Sequence, residues 1–529
     1  MLAGVRPNAS RRSWWLREAL AAEGSTGPPG DAADGAPPLR GTTTADVVVL
    51  GGGYTGLWTA LRVRELAPDA RVVLVEADIC GGGPSGRNGG FVTSWWDDLP
   101  TLIERYGDAG ALETGRAMEA AVDEIGRWCA ANGVDAWYTK AGTMSVSAAP
   151  AQDGRWQDAV EAAARLGVGD RYVALTPAEI ADRVISPVMR AGAFMPGAAT
   201  VQPALLARGL RRVALDRGVV IHEGTRVSEL DGERPGWLGS LGAGRRRAGP
   251  RRLERDGQDG PARGGRRGAD RPVRIRTTSS VGDGEVIAGS AVVAMNAWAA
   301  AWPSFGRRLV TWSSYIVLTE PVGDRLAEIG WTGGEGIADA RFTLHYLRTT
   351  RDGRIAIGGG GGGAGFGGRI GATFTDDAVA ASRAAAGLRR LFPSLRDVRI
   401  EDAWGGPIDI AADHLPTIGS LPGRPIHFAH GYSGNGVGPS VVAGRLLAGL
   451  AVGPMGVVAP TDDPLAPPVL LGGHAKAFPP EPIRYAGARV IREAIVRREA
   501  AEERGEPVPW WLRELTRVPR RLGFHLSPD

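Results

Sequence analysis

The chain is expected to be an α/β protein, and three observations predict it. A β-rich run, Ala45-Asp46-Val47-Val48-Val49-Leu50, enters a glycine turn, Gly51-Gly52-Gly53-Tyr54-Thr55-Gly56, without a break. Behind the turn, Leu57, Ala60, Leu61 and Leu66 follow a helical pattern, which Pro68 ends. A second apolar run, Arg71-Val72-Val73-Leu74-Val75-Glu76, finishes on an acid.

Each of these elements has a physical task. The turn reads G-x-G-x-x-G: Gly51 permits the tight turn, Gly53 lets a pyrophosphate approach the backbone, and Gly56 lets helix and strand pack closely. The helix N-terminus then faces the phosphates with unpaired N–H groups. Glu76 stands about 20 residues past the turn, where a carboxylate meets the ribose of an adenosine. A Rossmann-like dinucleotide unit follows from strand, helix, strand and acid in register. The stretch from Ala77 to Phe91 is rich in glycine, and Ser85, Arg87 and Asn88 are nearly its only polar side chains. Such a loop can lie along an extended cofactor and offer it a hydroxyl, a guanidinium and an amide. An NAD site needs no such loop, so FAD is the expected cofactor.

Composition bounds the rest. A chain of 529 residues, 43% apolar and 23% charged, is neither disordered nor collagen-like and has length for two or three domains. The basic residues are almost all arginine, with Lys140 and Lys476 the exceptions. The excess of positive charge sits in one Gly/Pro/Arg-rich stretch, Asp231–Pro272, where 11 arginines face 6 acids. This stretch reads as a disordered insertion at 233–271; the alternative, an RNA-binding arm, lacks aromatic platforms beyond Trp237, so no nucleic-acid partner is expected. Two cysteines, Cys80 and Cys129, exclude a disulfide framework and a cysteine metal cluster. No run approaches a membrane span of about 18 apolar residues. Ser10-Arg11-Arg12-Ser13-Trp14-Trp15-Leu16 looks like a twin-arginine signal, but Arg17 and Glu18 interrupt the apolar stretch that such a signal requires. A short amphipathic helix and a cytoplasmic protein, at most peripheral to the inner face of the membrane, are expected.

The GGGYTGL turn and the Ser85-Gly86-Arg87-Asn88-Gly89-Gly90 loop together resemble the D-amino-acid-oxidase-like family of FAD-dependent oxidoreductases, nearest its gamma-glutamylputrescine oxidoreductase branch. The segments Val201–Leu206, Gly218–Val227, Ala291–Trp298, His345–Arg354, Asp413–Gly419 and Gly431–Gly438 extend the resemblance over roughly residues 41–455. It implies a glutathione-reductase-like FAD-binding domain (41–97, 185–305 and 395–455) interleaved with an antiparallel-sheet substrate domain (98–184 and 306–394). Residues 1–40 would be an N-terminal helix and linker, and 456–529 a helical tail. The implied FAD contacts are Gly51, Gly53, Tyr54, Thr55, Gly56, Glu76, Ser85, Gly86, Arg87, Asn88, Gly89, Val227, Gly434, Asn435, Gly436 and Val437. The implied substrate-side candidates are Tyr346, Arg348, Tyr432 and Asn435.

The chemistry implied is oxidation of a C–N bond in a primary or secondary amine, or an amino acid, by hydride transfer to flavin. Oxygen or another acceptor would reoxidise the cofactor. Alternation places Tyr346, Arg348 and Thr350 on one strand face. Thr350 stands where glycine oxidase carries its carboxylate-binding arginine, so a simple D-amino acid is not the expected substrate. Arg348 is either a substitute carboxylate clamp or an arginine bridging within the sheet. Sarcosine oxidase attaches its flavin through a cysteine in its C-terminal half, where this chain has none, so FAD is expected to be noncovalent. His427 and His430 read as core residues, and no metal is expected. Finally, Arg11–Glu18 is echoed by Val508–Leu515, both with paired tryptophans beside arginine. Such tails suit docking onto the protein's own body or a membrane surface. The second choice would make the chain a membrane-associated amino-acid dehydrogenase feeding quinone.

Overall fold

The computed structural model describes residues 12–24, 36–236, 271–359, 361–472 and 476–525. The predicted βαβ unit is present: strand Gly41–Leu50, helix Tyr54–Leu66 and strand Val72–Val75, with the strands parallel and Val48 opposite Val73. Val47, Val48, Val49 and Leu50 are wholly buried, as a strand covered on both faces requires. Around them forms an eight-stranded sheet, in the order 417–420, 426–430, 282–293, 41–50, 72–75, 220–222, with 273–279 and 225–230 branching from 282–293. Two helices, Tyr54–Leu66 and Pro439–Val452, contribute to the largest apolar core cluster.

A second eight-stranded sheet runs 400–410, 310–319, 355–359, 345–349, 336–339, 143–146, 192–195, 173–175. All its pairs are antiparallel except 336–339 with 143–146. Two of its strands fall on the other side of the boundaries drawn from sequence at 185 and 395. Gly192–Met195 pairs with Thr143–Val146, and Ile400–Ile410 pairs along its length with Val310–Thr319. The second strand carries Gly405, Gly406 and Pro407, residue types that usually weaken or interrupt strands. Pro407 is tolerated because this strand is the sheet's edge, where a missing N–H costs no ladder bond.

Most of the predicted insertion, 237–270, lies outside the described residues. Its flanks pair as antiparallel strands, with Ile275 opposite Leu230. Glu233, assigned by sequence to the insertion, instead belongs to the folded body. It accepts hydrogen bonds from Arg424 at 2.8 Å and from the Ser304 hydroxyl at 2.7 Å.

The two tryptophan-rich tails have different fates. Helix Trp14–Ala22 docks on the protein: Trp15 is fully buried against Trp404 (5.8 Å) and Trp137 (6.5 Å), and its carbonyl accepts from Gln202 at 2.9 Å. Helix Trp510–Arg521 buries Leu512 but leaves Trp510 76% and Trp511 48% exposed.

Candidate functional site

A cavity of about 1180 Å³ is lined by residues of both sheets and of the C-terminal helices. That exceeds the roughly 300–1,000 Å³ of a usual ligand site, so there is room for a dinucleotide and a substrate together.

The glycine turn forms one wall. Gly51 has φ +111°, and a Cβ there would meet the Ala294 carbonyl oxygen at 2.5 Å, so only glycine fits. Helix Tyr54–Leu66 starts at Gly53 with no side chain of its own capping it; the Ser85 hydroxyl, at 2.9 Å, takes the Tyr54 N–H. Glu76 accepts hydrogen bonds from the N–H of Gly52 (2.7 Å) and of Asp78 (2.9 Å). Burial outweighs those bonds and pushes its carboxyl up to about 7. A second helix, Pro439–Val452, also starts at a glycine, Gly438, with no side-chain cap. The bend before it, Tyr432 to Val437, lines the same cavity. A glycine turn closed to any side chain at Gly51, a second helix start at Gly438 without a side-chain cap and a carboxylate at the strand end fit a bound dinucleotide.

Of the predicted cofactor residues, Gly51, Gly53, Tyr54, Thr55, Glu76, Ser85, Arg87, Asn88, Gly89, Val227, Gly434, Asn435, Gly436 and Val437 all line the cavity. Gly56 and Gly86 stand behind it, each backed onto a carbonyl oxygen that a Cβ would strike at 2.0 and 2.2 Å. Two of the loop's polar side chains bond to backbone carbonyls of the loop and, for Arg87, of the edge strand Ile400–Ile410. The Arg87 guanidinium donates to the carbonyls of Gly82 (2.9 Å) and Gly405 (3.1 Å), and burial lowers its pKa to about 10. The Asn88 amide donates to the carbonyls of Pro84 and Ser85 and accepts from the Gly90 N–H.

On the substrate side, Tyr346 lines the cavity, its phenol 3.1 Å from the Ser314 hydroxyl and its ring edge-on to Phe91. Gly358 on the neighbouring strand makes room for that ring, since a Cβ there would lie 1.9 Å from Tyr346 Cζ. Tyr432 and Asn435 also line the cavity; the Asn435 carbonyl oxygen accepts from the Thr93 hydroxyl at 2.9 Å.

Arg348 does not line the cavity. Neither predicted role holds: it donates to the carbonyl of Val201 and, at 3.2 Å, to that of Thr349, and it lies over the ring of Trp15 at 5.7 Å. Among the described residues no carboxylate pairs with it, and burial lowers its pKa to about 10. Strand alternation gave the correct direction relative to the sheet, but the docked N-terminal helix occupies that space.

Several cavity residues were not found by sequence reasoning. Asn296, with φ +47°, donates to Asp409 at 2.8 Å, and Asp409 also accepts from the Gly431 N–H at 2.5 Å. Burial pushes Asp409 up to about 7. The turn Arg341–Leu344 and the helix Ile483–Glu503 complete the lining. An asparagine after a small-residue strand was the only local signal among these, because asparagine tolerates positive φ.

Comparison with known proteins gives the family. The family described as FAD dependent oxidoreductase (DAO) matches residues 46–450. The chain is 24% identical over 433 residues to a probable oxidoreductase OrdL of Haemophilus influenzae, covering 79% of this chain and 85% of that one. It is 27% identical over 419 residues to gamma-glutamylputrescine oxidoreductase of Escherichia coli, covering 78% and 85%. Glycine oxidase of Geobacillus kaustophilus shares the fold with a TM-score of 0.56 at 19% identity, over 82% of this chain and 99% of that one. The chain belongs to the DAO family of FAD-dependent oxidoreductases.

Proposed function

We propose that this enzyme oxidises a C–N bond of a primary or secondary amine or an amino acid, using noncovalent FAD that oxygen or another acceptor reoxidises. The observation that carries this reading is one cavity lined together by the glycine turn at Gly51 and Gly53, by the Gly434–Val437 bend that leads into helix Pro439–Val452, and by Tyr346 and Tyr432. The names of the relatives, gamma-glutamylputrescine oxidoreductase and glycine oxidase, support a nitrogen-bearing substrate. FAD, when bound, would supply the acceptor for the hydride that leaves the substrate carbon.

The chain's own residues bind, orient and exclude water. Gly51 and Gly53 would hold the pyrophosphate and Glu76 the ribose. The Gly434–Val437 bend would lie along the cofactor's second half with the positive end of its helix behind it. Tyr346, fixed by Ser314 and Phe91, bounds the space left for substrate. The test is anaerobic bleaching of the yellow protein against a panel of amines and amino acids, with acid precipitation leaving flavin in the supernatant. Colour retained in the pellet overturns noncovalent binding; no bleaching by any amine overturns the reaction class.

A second reading is a peripheral membrane enzyme feeding quinone. The exposed Trp510 and Trp511, with Arg513, Arg517, Arg520 and Arg521 on the same helix, favour it. Among the described residues no helix is long and apolar enough to cross a membrane, so contact would be through this face. Co-sedimentation with anionic vesicles, abolished by Trp510→Ser with Trp511→Ser, would support it; equal recovery in the supernatant with and without vesicles would overturn it.

A further inference from the structure

The family match ends at residue 450, but the cavity wall continues beyond it. Phe478, Ile491, Ile495 and Phe524 all line the cavity, and all belong to the C-terminal segment. We propose that the C-terminal helices form the specificity wall of the substrate site and select amines that carry an extended apolar substituent. This rests on the amine reading above.

Two buried carboxylates make the wall part of the body. Glu499, fully buried, accepts hydrogen bonds from the N–H of Phe342 (2.5 Å) and of Thr343 (3.3 Å) and from the Arg341 guanidinium (3.3 Å). Arg341, Phe342 and Thr343 line the cavity too, so the helix and that turn present one surface. Glu481, 3% exposed, accepts from Arg484 at 2.7 Å and from the Gly367 N–H at 2.9 Å.

The chemistry of that surface favours methylenes over charge. Phe478 and Phe524 stack at 5.2 Å, and Ile495 is buried beside the cavity. The guanidiniums at this end already have partners: Arg341 with Glu499 and Glu503, Arg484 with Glu481, and Arg492 with the Gly361 carbonyl. The Arg341 and Arg484 charges are already matched by carboxylates, so a substrate carboxylate gains little from them, whereas each methylene laid on the wall favours binding by a factor of about three to four.

The experiment is anaerobic flavin reduction by n-alkylamines from propylamine to octylamine. The ratio of reduction rate constant to Kd should climb about three- to four-fold per methylene until the wall is covered. Ile491→Trp should lower the octyl-to-propyl ratio at least about tenfold while FAD content is retained, and Ile491→Ala should shift the optimum to a longer chain. A flat series, or Ile491 variants that change every amine by one common factor, overturns the proposal. Should no amine reduce the flavin, the amine reading falls. The wall is then read by titrating n-alkanols against the flavin spectrum. A Kd that falls with chain length in the wild type but not in Ile491→Trp supports the wall; a Kd independent of chain length overturns it.

Discussion

The Thr55 hydroxyl and the Tyr432 phenol lie 2.8 Å apart, joining residues that are 377 positions apart in the chain. Thr55 is in the first turn of the helix behind the glycine turn, and Tyr432 is in the bend before helix Pro439–Val452, so the bond ties together two walls of the cavity. Thr93 and Asn435 repeat the link at 2.9 Å. Burial pushes the Tyr432 phenol up, out of the range in which it would ionise at neutral pH. Thr55→Val and Tyr432→Phe should each weaken FAD binding, with a coupling of about 1 kcal/mol between them in a double-mutant cycle. Titration of apoprotein with FAD measures it; strictly additive losses would show that the bond couples nothing.

Arg348 is expected to act on stability rather than on substrate choice. Its guanidinium serves the Val201 carbonyl and faces the Trp15 ring, linking the second sheet to the docked N-terminal helix. Arg348→Met leaves the Val201 carbonyl short of a partner in a buried place, at a cost of about 1–3 kcal/mol. Urea unfolding should register that loss, while kcat/KM ratios between acidic and neutral amines stay as in the wild type. A selective rise in KM for acidic amines would return Arg348 to the substrate site.

What the sequence made legible follows from how local each signal is. The strand from Val47 into Gly51, the helix from Tyr54 and the acid at Glu76 are contiguous, and each obeys a backbone or dipole rule that needs no distant partner. The placement of Arg348 was not legible, because helix Trp14–Ala22 fills the space beside its strand from more than three hundred residues away. The edge strand Ile400–Ile410 was hidden by its own Gly405-Gly406-Pro407, which only its position in the sheet excuses. The 456–529 segment read only as a helical tail, because the docking of Glu499 on Phe342 and Thr343 is a tertiary fact.

The insertion should be removable if the cut is placed at 237–270. Strands Thr225–Leu230 and Val273–Ser279 already pair, and each halving of the loop that joins them favours folding by about 0.6 kcal/mol. FAD content and the unfolding midpoint should therefore be retained or slightly raised. Beginning the cut at 233 instead removes Glu233, the partner of Arg424 and Ser304, and should cost about 1 kcal/mol or more. Thermal melts of the two deletions side by side decide it. Loss of FAD from the 237–270 deletion would mean that the segment contributes to the site.

His430 should set part of the acid limit of stability. It is buried between Phe428, stacked at 5.0 Å, and Phe305, edge-on at 5.6 Å, and among the described residues neither ring nitrogen has a hydrogen-bond partner. Burial, with the nearby Arg308 charge second, pushes its pKa down to about 3. In the unfolded chain it titrates near 6.5. Between these values the unfolded chain binds a proton that the folded chain does not, so stability is lost as pH falls below about 6.5. At pH 5 the loss from this one group is about 2 kcal/mol. His430→Phe keeps a ring of similar size and removes the titration, while His414, His427 and Asp409 titrate alike in both proteins and largely cancel in the difference. Urea unfolding at pH 5 and pH 7.5 should show the variant gaining about 2 kcal/mol on the wild type between the two conditions. Parallel pH profiles for the two proteins would show that His430 is protonated in the folded state as readily as in the unfolded one.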